Sequence, residues 1–339
     1  MPDLPLELLR RGVSAGFGDQ TGQALELTGL QIEALPSTGG GSFSTSVERI
    51  SFVDPVAPWS VILKRMAAGA EGWDREADAH QDLEWFASAL PDGLQIPRLF
   101  AIDRSPEEVG LVFEDLGPSA SLDESDLTNS ARLLADFSAR PATPRPWWSS
   151  DVLTTEFHTL ADRPEHLTST RSNVGIERLR GQLVEILRDA PNLLNLAHQT
   201  PRGPAHLDAY SRNLIVDRTN PRIGLVDWAS AGSAPIGTDP ATLFALTLGY
   251  LDVETNSVAD LEVSMVDAML DGLVEGGATV AADTAAASFR AIAKLRHLAM
   301  MMNALPMVEA NNPAVSAIVG RPLDEIVDRW ILLGEHFMN

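Results

Sequence analysis

A short stretch of the sequence combines a histidine, an aspartate and an asparagine at a spacing that could support catalysis. His206, Asp208 and Asn213 form the pattern H-x-D-x-x-x-x-N, and an apolar strand candidate follows it directly. Asp227 ends a second apolar strand candidate 19 residues after Asp208. One carboxylate of this set could take the proton of an attacking hydroxyl, and the remaining oxygens are the hard ligands that Mg²⁺ prefers. The pattern therefore indicates phosphoryl transfer.

Two predicted strands would bring these oxygen atoms together. Apolar residues at Leu214–Val216 and Ile223–Val226 are separated by a turn-rich segment, which predicts a hairpin. Such a hairpin would place Asp208, Asn213 and Asp227 at one end. Either half of the pattern alone also fits a plainer interpretation, in which the aspartates lie in solvated turns and the asparagine caps a helix.

A metal-dependent hydrolase is a competing interpretation of the same stretch, with His206 and Asp208 as metal ligands. That chemistry needs further converging ligands, and none follows at a suitable local spacing. The segment His80-Gln81-Asp82 repeats the first half of the pattern on a predicted helix but lacks the asparagine. The first half of the pattern alone therefore does not define a site.

A phosphate-bearing ligand would also need a clamp, and a glycine-rich segment between two predicted strands could provide one. Glycines let the backbone approach phosphate oxygens closely, and nearby amides and hydroxyls can donate hydrogen bonds to them. The residues that we expect to make this contact are Gly39, Gly40, Gly41, Ser42 and Ser44. The segment is not a Walker A loop, because no Gly-Lys-Ser/Thr follows it, and a plain turn is the commoner meaning of such a segment.

Lys64 ends an apolar strand candidate in a chain that strongly prefers arginine. Lys64 and Lys294 are the only lysines among 25 basic residues, and a compact ammonium on a long stem suits α- and β-phosphates. Glu76 falls on the apolar stripe of a helix predicted over 72–90, where a carboxylate needs a cationic partner. We expect Lys64 to be that partner. The alternatives are a lysine that snorkels at a strand end and a glutamate that only compensates the helix dipole.

The remaining pattern divides the chain into a sheet-rich part and a helical part. Strands are predicted near 30–34, 47–53, 60–65, 98–103 and 110–114, and helices dominate after residue 118. The segment 110–117 is a buried strand that runs into a connector, and its backbone groups could pair with an adenine edge. An ordinary interdomain strand has the same sequence features.

In this order of elements the sequence resembles the aminoglycoside phosphotransferase and choline kinase-like family, a relative of the protein-kinase fold. The resemblance covers roughly residues 25–250 and is most specific at 205–228. It implies an α+β, bilobal protein-kinase-like fold with a small antiparallel-sheet N-lobe and a larger, mainly helical C-lobe. The implied domains are a helical extension (1–24), a nucleotide-binding N-lobe (25–114), a hinge (115–118) and a catalytic, acceptor-binding C-lobe (119–339).

The resemblance also implies a role for each candidate residue. Asp208 would be the catalytic base, with Asn213 and Asp227 as Mg²⁺ ligands. Lys64 and Glu76 would form the pair that holds the α- and β-phosphates of ATP. Segment 39–44 would be the nucleotide loop, and Glu114 and Leu116 would supply backbone contacts to adenine.

The implied activity is transfer of the γ-phosphate of ATP to a hydroxyl of a small molecule. Three residues depart from the usual family pattern: Leu207 replaces a glycine, Tyr210 a histidine and Ala229 an acid. They weaken the case for a standard aminoglycoside as acceptor, and Arg212 is a hypothetical substitute contact for the γ-phosphate. A nucleotide-binding pseudokinase that acts as a scaffold is the alternative. Protein kinase activity is disfavoured, because Leu207 stands where an arginine would precede the aspartate.

Composition limits the partners. The net charge of −22 argues against nucleic acid and anionic membranes, and the absence of cysteine excludes thiolate chemistry. Seven acids and no Lys or Arg lie between Tyr250 and Gly277, which would suit an amine-bearing acceptor but also fits a solvated acidic helix face. The sequence shows no secretory signal or membrane span, so we expect a cytoplasmic protein. Nothing in the sequence indicates the oligomeric state.

Overall fold

The computed structural model describes residues 5–18, 21–22, 30–35, 44–52, 59–67, 74–149, 153–155, 174–219, 221–253, 255 and 257–338. The chain forms two compact units. The first consists of Met1–Ser88, Gln95–Pro118 and Gly224–Ser230, and the second of Ala89–Leu94, Ser119–Ile223 and Ala231–Asn339. The candidate site residues are therefore divided between the units, because Asp208 and Asn213 belong to the second unit and Asp227 to the first.

An antiparallel sheet forms the N-terminal region, as predicted. The elements are α1 (Leu6–Phe17), β1 (Leu30–Ala34), β2 (Ser44–Phe52), β3 (Trp59–Ala67), α2 (Arg75–Gln81), α3 (Leu83–Ala89), β4 (Leu94–Gln95), β5 (Leu99–Arg104) and β6 (Glu108–Glu114). Five strands pair in the order β1-β2-β3-β6-β5. Helix α1 buries Leu8, Leu9 and Val13 against the sheet, where they pack with Val61 and Val112. This packing removes apolar surface from water and makes α1 part of the core of the first unit.

The prediction of one continuous helix over 72–90 is wrong in one respect, because the structure has two helices, α2 and α3, separated at Asp82. Asp82 leaves the helical conformation, with φ −89° and ψ 57°. Its carboxylate accepts a hydrogen bond from the Trp85 amide at 3.3 Å and so starts α3. The break also leaves the apolar side chain of Leu83 61% exposed. An aspartate that competes for backbone hydrogen bonds explains the division.

The C-terminal part is mostly helical, which confirms the predicted fold class. The elements are α4 (Glu124–Ala139), α5 (Val174–Ala197), β7 (Arg202–Ala205), β8 (Leu214–Val216), β9 (Ile223–Leu225), β10 (Gly232–Pro235), α6 (Thr238–Gly249), α7 (Val258–Glu275), α8 (Ala282–Glu309), α9 (Pro313–Val319) and α10 (Leu323–Met338). Helices α5, α8, α9 and α10 share one apolar core. Within the described residues, no helix is long and apolar enough to cross a membrane.

Short strands flank the segment from His206 to Asn213. Strands β7 and β10 pair antiparallel, with Ala205 opposite Gly232, so β7 ends one residue before His206. Strands β4, β9 and β8 form a second small sheet in that order. The Ser119 hydroxyl accepts from the Val216 amide at 3.1 Å and donates to the Leu214 carbonyl at 3.2 Å, which fixes β8 directly after Asn213.

Candidate active site

The second unit brings Asp208 and Asn213 into direct contact. A single 3₁₀ turn (Ser211–Asn213) follows the loop after β7, and the Asn213 amide donates to the Tyr210 carbonyl at 2.9 Å. The Asn213 side chain then reaches back, so that its Nδ2 donates to the backbone carbonyl of Asp208 at 2.8 Å and to Asp208 Oδ2 at 3.1 Å. The spacing of the two residues in the sequence therefore corresponds to a closed local geometry.

These hydrogen bonds also decide which atom of Asn213 is left for a ligand. Because Nδ2 faces Asp208, Oδ1 points the other way, and no described hydrogen bond uses it. An amide oxygen and a nearby carboxylate are the donors that Mg²⁺ takes in proteins. The residues present in the second unit therefore fit a divalent cation.

A buried carboxylate holds the backbone of the loop that carries His206, Leu207 and Asp208. Asp239, in the first turn of α6, accepts from the amides of His206 at 2.7 Å and Leu207 at 2.8 Å. Arg296 on α8 donates to the Leu207 carbonyl at 2.6 Å. Asp239 is fully buried, and burial raises the pKa of its carboxyl to about 6, against the opposing effect of the two amides. These contacts fix the backbone directly before Asp208 and therefore the position from which its side chain extends.

In the sequence, the pair Asp239-Pro240 predicts a helix start and favours a structural role for Asp239, and no pattern links Arg296 to this loop. The available signal was that Asp239 is the one charged residue of the apolar helix α6, where a buried charge needs a partner, whereas α8 carries several other charged residues besides Arg296. The pairing of each with one particular loop amide or carbonyl could not be inferred, because the two residues are more than 30 positions away from that loop.

Leu207 adopts the left-handed backbone conformation, with φ 68°. This conformation costs an L-residue other than glycine roughly 1–2 kcal/mol, which explains why glycine suits this position. The Leu207 side chain is buried, and it packs with Ala205 and Ala234. Burial of the side chain thus offsets an unfavourable backbone, and the departure from the usual family residue leaves the loop intact.

We expect Leu207→Gly to be more stable than Leu207→Ala by about 1 kcal/mol, because both lose the buried side chain but only glycine relieves the left-handed backbone. Urea unfolding of the two variants measures the difference. Leu214 is the matched control, since it is equally buried but extended, with φ −103°. There alanine should be the more stable by up to about 1 kcal/mol. The same order of stability at both positions would contradict this explanation.

His206 is fully buried, and its ring forms a hydrogen bond with the backbone of its own loop. Its Nδ1 accepts a hydrogen bond from the Asp208 amide at 3.3 Å. One ring nitrogen thus supports the backbone of the candidate base, a role that the hydrolase interpretation did not assign to it. Among the described residues, no group of three or more His, Asp or Glu is arranged to hold a metal ion.

The first unit contains a second charged cluster, and it includes the ion pair that the sequence predicts. Lys64 Nζ lies 2.6 Å from Glu76 Oε2 and 2.8 Å from Asp227 Oδ1. Lys64 and Glu76 are only 6% and 2% exposed, whereas the Asp227 side chain retains 28% exposure. The cluster therefore joins a buried pair to a carboxylate that solvent can still reach.

Burial and charge act in opposite directions on this cluster. Burial alone would lower the pKa of the Lys64 ammonium, but Asp227 and Glu76 outweigh it and raise that pKa above its ordinary value. Burial is the largest effect on Glu76 and raises the pKa of its carboxyl, while Lys64 lowers it. Lys64 therefore remains a cation held in a fixed position.

Lys64 is not a strand-end residue, because β3 continues to Ala67. It lies opposite Val47 of β2 and Leu111 of β6, in the middle of the sheet. A lysine at such a position cannot place its ammonium in bulk water, so the carboxylates are its only route to charge compensation among described contacts. The snorkelling alternative is wrong for this residue.

The packing of Trp228 fixes the position of the preceding residue, Asp227. Trp228 is fully buried, its indole N–H donates to the Leu225 carbonyl at 2.9 Å, and its ring meets Phe86 edge-on at 4.8 Å. Asp227 itself has φ 65°, a conformation that aspartate tolerates better than most residues. The tight turn before a fixed aromatic ring directs the carboxylate towards Lys64.

The connector after β6 is tied to the sheet. Arg49 on β2 donates to both oxygens of Asp115, at 2.8 and 3.3 Å, and Asp115 accepts from the Gly117 amide at 2.9 Å. The Glu114 amide is already bonded to the Arg98 carbonyl at 2.9 Å, so only its carbonyl could serve an adenine contact. No described hydrogen bond uses the backbone amide of Leu116.

The glycine-rich clamp cannot be placed. Gly39, Gly40, Gly41 and Ser42 lie outside the described residues, and Ser44 is the first residue of β2. The expected phosphate contact of this segment stays a prediction.

Arg212 has partners other than the one suggested for it. Its guanidinium donates to both oxygens of Asp252 at 3.1 Å and to the Ile318 carbonyl at 2.9 Å, and it covers the Tyr250 ring at 4.5 Å. These contacts occupy the guanidinium within the second unit. The structure therefore lends no support to a γ-phosphate contact by Arg212.

Several carboxylates of the acidic segment 250–277 form ion pairs. Asp252 pairs with Arg212, as above, and Glu275 pairs with Arg132. Glu262 lies 2.6 Å from Arg290 and 2.7 Å from His336. Glu262 and Glu275 join α7 to other helices and Asp252 joins the chain after α6 to Arg212, which favours the structural interpretation of the segment for these three carboxylates. Exposed Asp267 and Asp271 remain on the surface of α7.

Comparison with known proteins assigns the family. The sequence profile of the phosphotransferase enzyme family, APH, matches residues 49–261, which include Lys64, Glu76, Asp208, Asn213 and Asp227. The chain belongs to the phosphotransferase enzyme family. No curated protein matches the sequence.

Solved structures support the same fold for this phosphotransferase. One is an amicoumacin kinase, hAmiN, in complex with AMP-PNP, Ca²⁺ and Ami, at 14% identity and TM-score 0.56 over 88% of both chains. Another is an ethanolamine kinase from Plasmodium vivax, at 11% identity and TM-score 0.54 over 96% of this chain and 86% of that one. A spectinomycin phosphotransferase in complex with ADP is 9% identical, with TM-score 0.54 over 90% and 93%. At these identities the likeness shows the fold.

Proposed function

We propose that this phosphotransferase is an ATP-dependent kinase that transfers the γ-phosphate to a hydroxyl of a small molecule. The observation that carries the proposal is the Asp208–Asn213 contact, in which the amide group of Asn213 orients the carboxylate and keeps Oδ1 for a ligand. A carboxylate held in this way can accept the proton of an attacking hydroxyl.

The other residues have complementary roles in the proposal. Asn213 and Asp227 would hold Mg²⁺, and the ion would supply positive charge to offset that of the phosphates. Lys64 binds the α- and β-phosphates, and Glu76 keeps its ammonium in place. Glu114, through its carbonyl, and Leu116, through its amide, contact adenine, and segment 39–44 covers the phosphates.

The proposed acceptor is a small molecule that carries the reacting hydroxyl, and we include amine-bearing compounds among the candidates. Related folds are found in enzymes named for spectinomycin, amicoumacin and ethanolamine. A cytoplasmic location, where ATP and Mg²⁺ are available, is part of the same proposal. No observation favours the pseudokinase alternative, because the side chains that phosphoryl transfer needs are present in both clusters.

An ADP-release screen tests the proposal. The protein is incubated with Mg²⁺, ATP or GTP, and a panel of amine-bearing alcohols, amino sugars and amine-free counterparts. We expect release above the acceptor-free rate for at least one acceptor class. Calorimetry that shows no affinity for Mg²⁺-ATP or Mg²⁺-GTP would overturn the proposal. Nucleotide binding without turnover on any acceptor would favour the scaffold alternative.

A further inference from the structure

The two residues directly before Asn213 share one carboxylate. Asp252 Oδ2 accepts from the Ser211 hydroxyl at 2.5 Å and from Arg212 Nε at 3.1 Å, while Oδ1 accepts from Arg212 Nη2 at 3.1 Å. The side chains of Arg212 and Asp252 are 24% and 23% exposed. Three hydrogen bonds in a largely desolvated environment stabilise the local structure more than an isolated ion pair on the surface does.

Further contacts fix this arrangement from several sides. The Ser211 amide donates to the Thr247 hydroxyl on α6 at 3.1 Å. Arg212 also reaches the Ile318 carbonyl of α9 and stacks on the Tyr250 ring, which packs on Tyr210 at 5.5 Å. The short 3₁₀ turn that carries Asn213 is therefore held by side chains from α6 and the segment that follows α6, and by a backbone carbonyl of α9.

We infer that Asp252 is a positioning residue for the metal ligand Asn213, an inference that rests on the proposed function. Asn213 is the third residue of a turn whose first two side chains both donate hydrogen bonds to Asp252. Removal of groups that hydrogen-bond directly to metal ligands commonly costs about 10- to 100-fold in metal affinity, and Asp252 acts on the adjacent residues, so we expect the lower end of that range.

The negative charge of Asp252 should also favour binding of a divalent ion near Asn213. Arg212 places a permanent cation next to the residue that would hold Mg²⁺, and Asp252 compensates that cation at 3.1 Å. Without the carboxylate, the guanidinium would disfavour a divalent ion nearby. Loss of Asp252 thus loosens the turn and adds uncompensated positive charge.

Mn²⁺ binding measured by electron paramagnetic resonance, with a non-hydrolysable ATP analogue present, tests the inference without turnover. We expect Asp252→Asn to raise the Mn²⁺ dissociation constant by about 10-fold. Asp252→Glu should recover part of the affinity, since it restores the charge. The double variant Arg212→Gln/Asp252→Asn should also recover part, because it removes the uncompensated cation. Circular dichroism shows that each variant is folded.

Asp267→Asn on the surface of α7 is the matched control, with unchanged Mn²⁺ affinity. Ser211→Ala removes one of the three hydrogen bonds and keeps the ion pair, so it should give a smaller shift in the same direction even if Asp252→Asn does not fold. Unchanged Mn²⁺ affinity in folded Asp252→Asn, or in Ser211→Ala when the former is unfolded, overturns the inference. Absence of Mn²⁺–nucleotide binding by the wild-type protein overturns the proposed function, and the inference with it.

Discussion

Replacing Asp208 with asparagine is expected to lower kcat by about 100-fold or more, the usual contribution of a positioned general base. Asparagine keeps an oxygen where Asn213 Nδ2 donates at 3.1 Å, so the loop should retain its geometry. What disappears is the capacity to accept a proton. Affinity for Mg²⁺-ATP should therefore change little, and calorimetry beside steady-state kinetics separates the two quantities.

The matched control is Asp267→Asn, which makes the same chemical change on the exposed surface of α7. It should leave both kcat and nucleotide affinity unaltered. Full turnover in the Asp208 variant would remove this residue from the mechanism. A parallel loss of nucleotide affinity would show instead that Asp208 acts through binding.

Replacing Lys64 with methionine is expected to reduce both activity and stability. Activity, as kcat/KM for ATP, should fall by about 100-fold, because a positioned cation on the phosphates is lost. The free energy of unfolding should fall by about 3 kcal/mol or more, since Glu76 is left buried beside Asp227 without its partner. Chemical denaturation and ATP saturation curves measure the two effects.

A double variant separates these effects. Lys64→Met/Glu76→Gln removes both charges of the buried pair, so it should recover most of the lost stability but none of the activity. Replacement of a buried ion pair by neutral groups is often close to neutral for stability. If the double variant were as unstable as the single one, the destabilisation would come from packing of the lysine stem. If it regained activity, Lys64 would not bind the phosphates.

Sequence reasoning succeeded where a residue's environment was evident from its immediate neighbours. Glu76 on an apolar stripe needed a cation, and the structure supplies Lys64 at 2.6 Å. The Asp208–Asn213 contact follows from a spacing that one loop and one turn can close. Both are cases in which the cost of burying a charge, or the reach of a short segment, leaves few solutions.

Other features depend on partners distant in the sequence or on local competition. Strands β7 and β10 are short and contain glycine and proline, so they show no alternation to recognise. The break at Asp82 depends on one side chain capturing a backbone amide. Arg212 could be assigned to a phosphate only because its actual partner, Asp252, is 40 residues later in the chain.

The scarcity of lysine gives this protein an unusual behaviour towards amine-directed reagents. Acylation needs the uncharged amine, and the carboxylates around Lys64 keep its nitrogen protonated. Dissolved acylating agents will therefore label the α-amino group and Lys294, the other lysine of the chain. That selectivity confines dyes, or tethers to a sensor surface, to these two amines and leaves the charged pair at Lys64 intact.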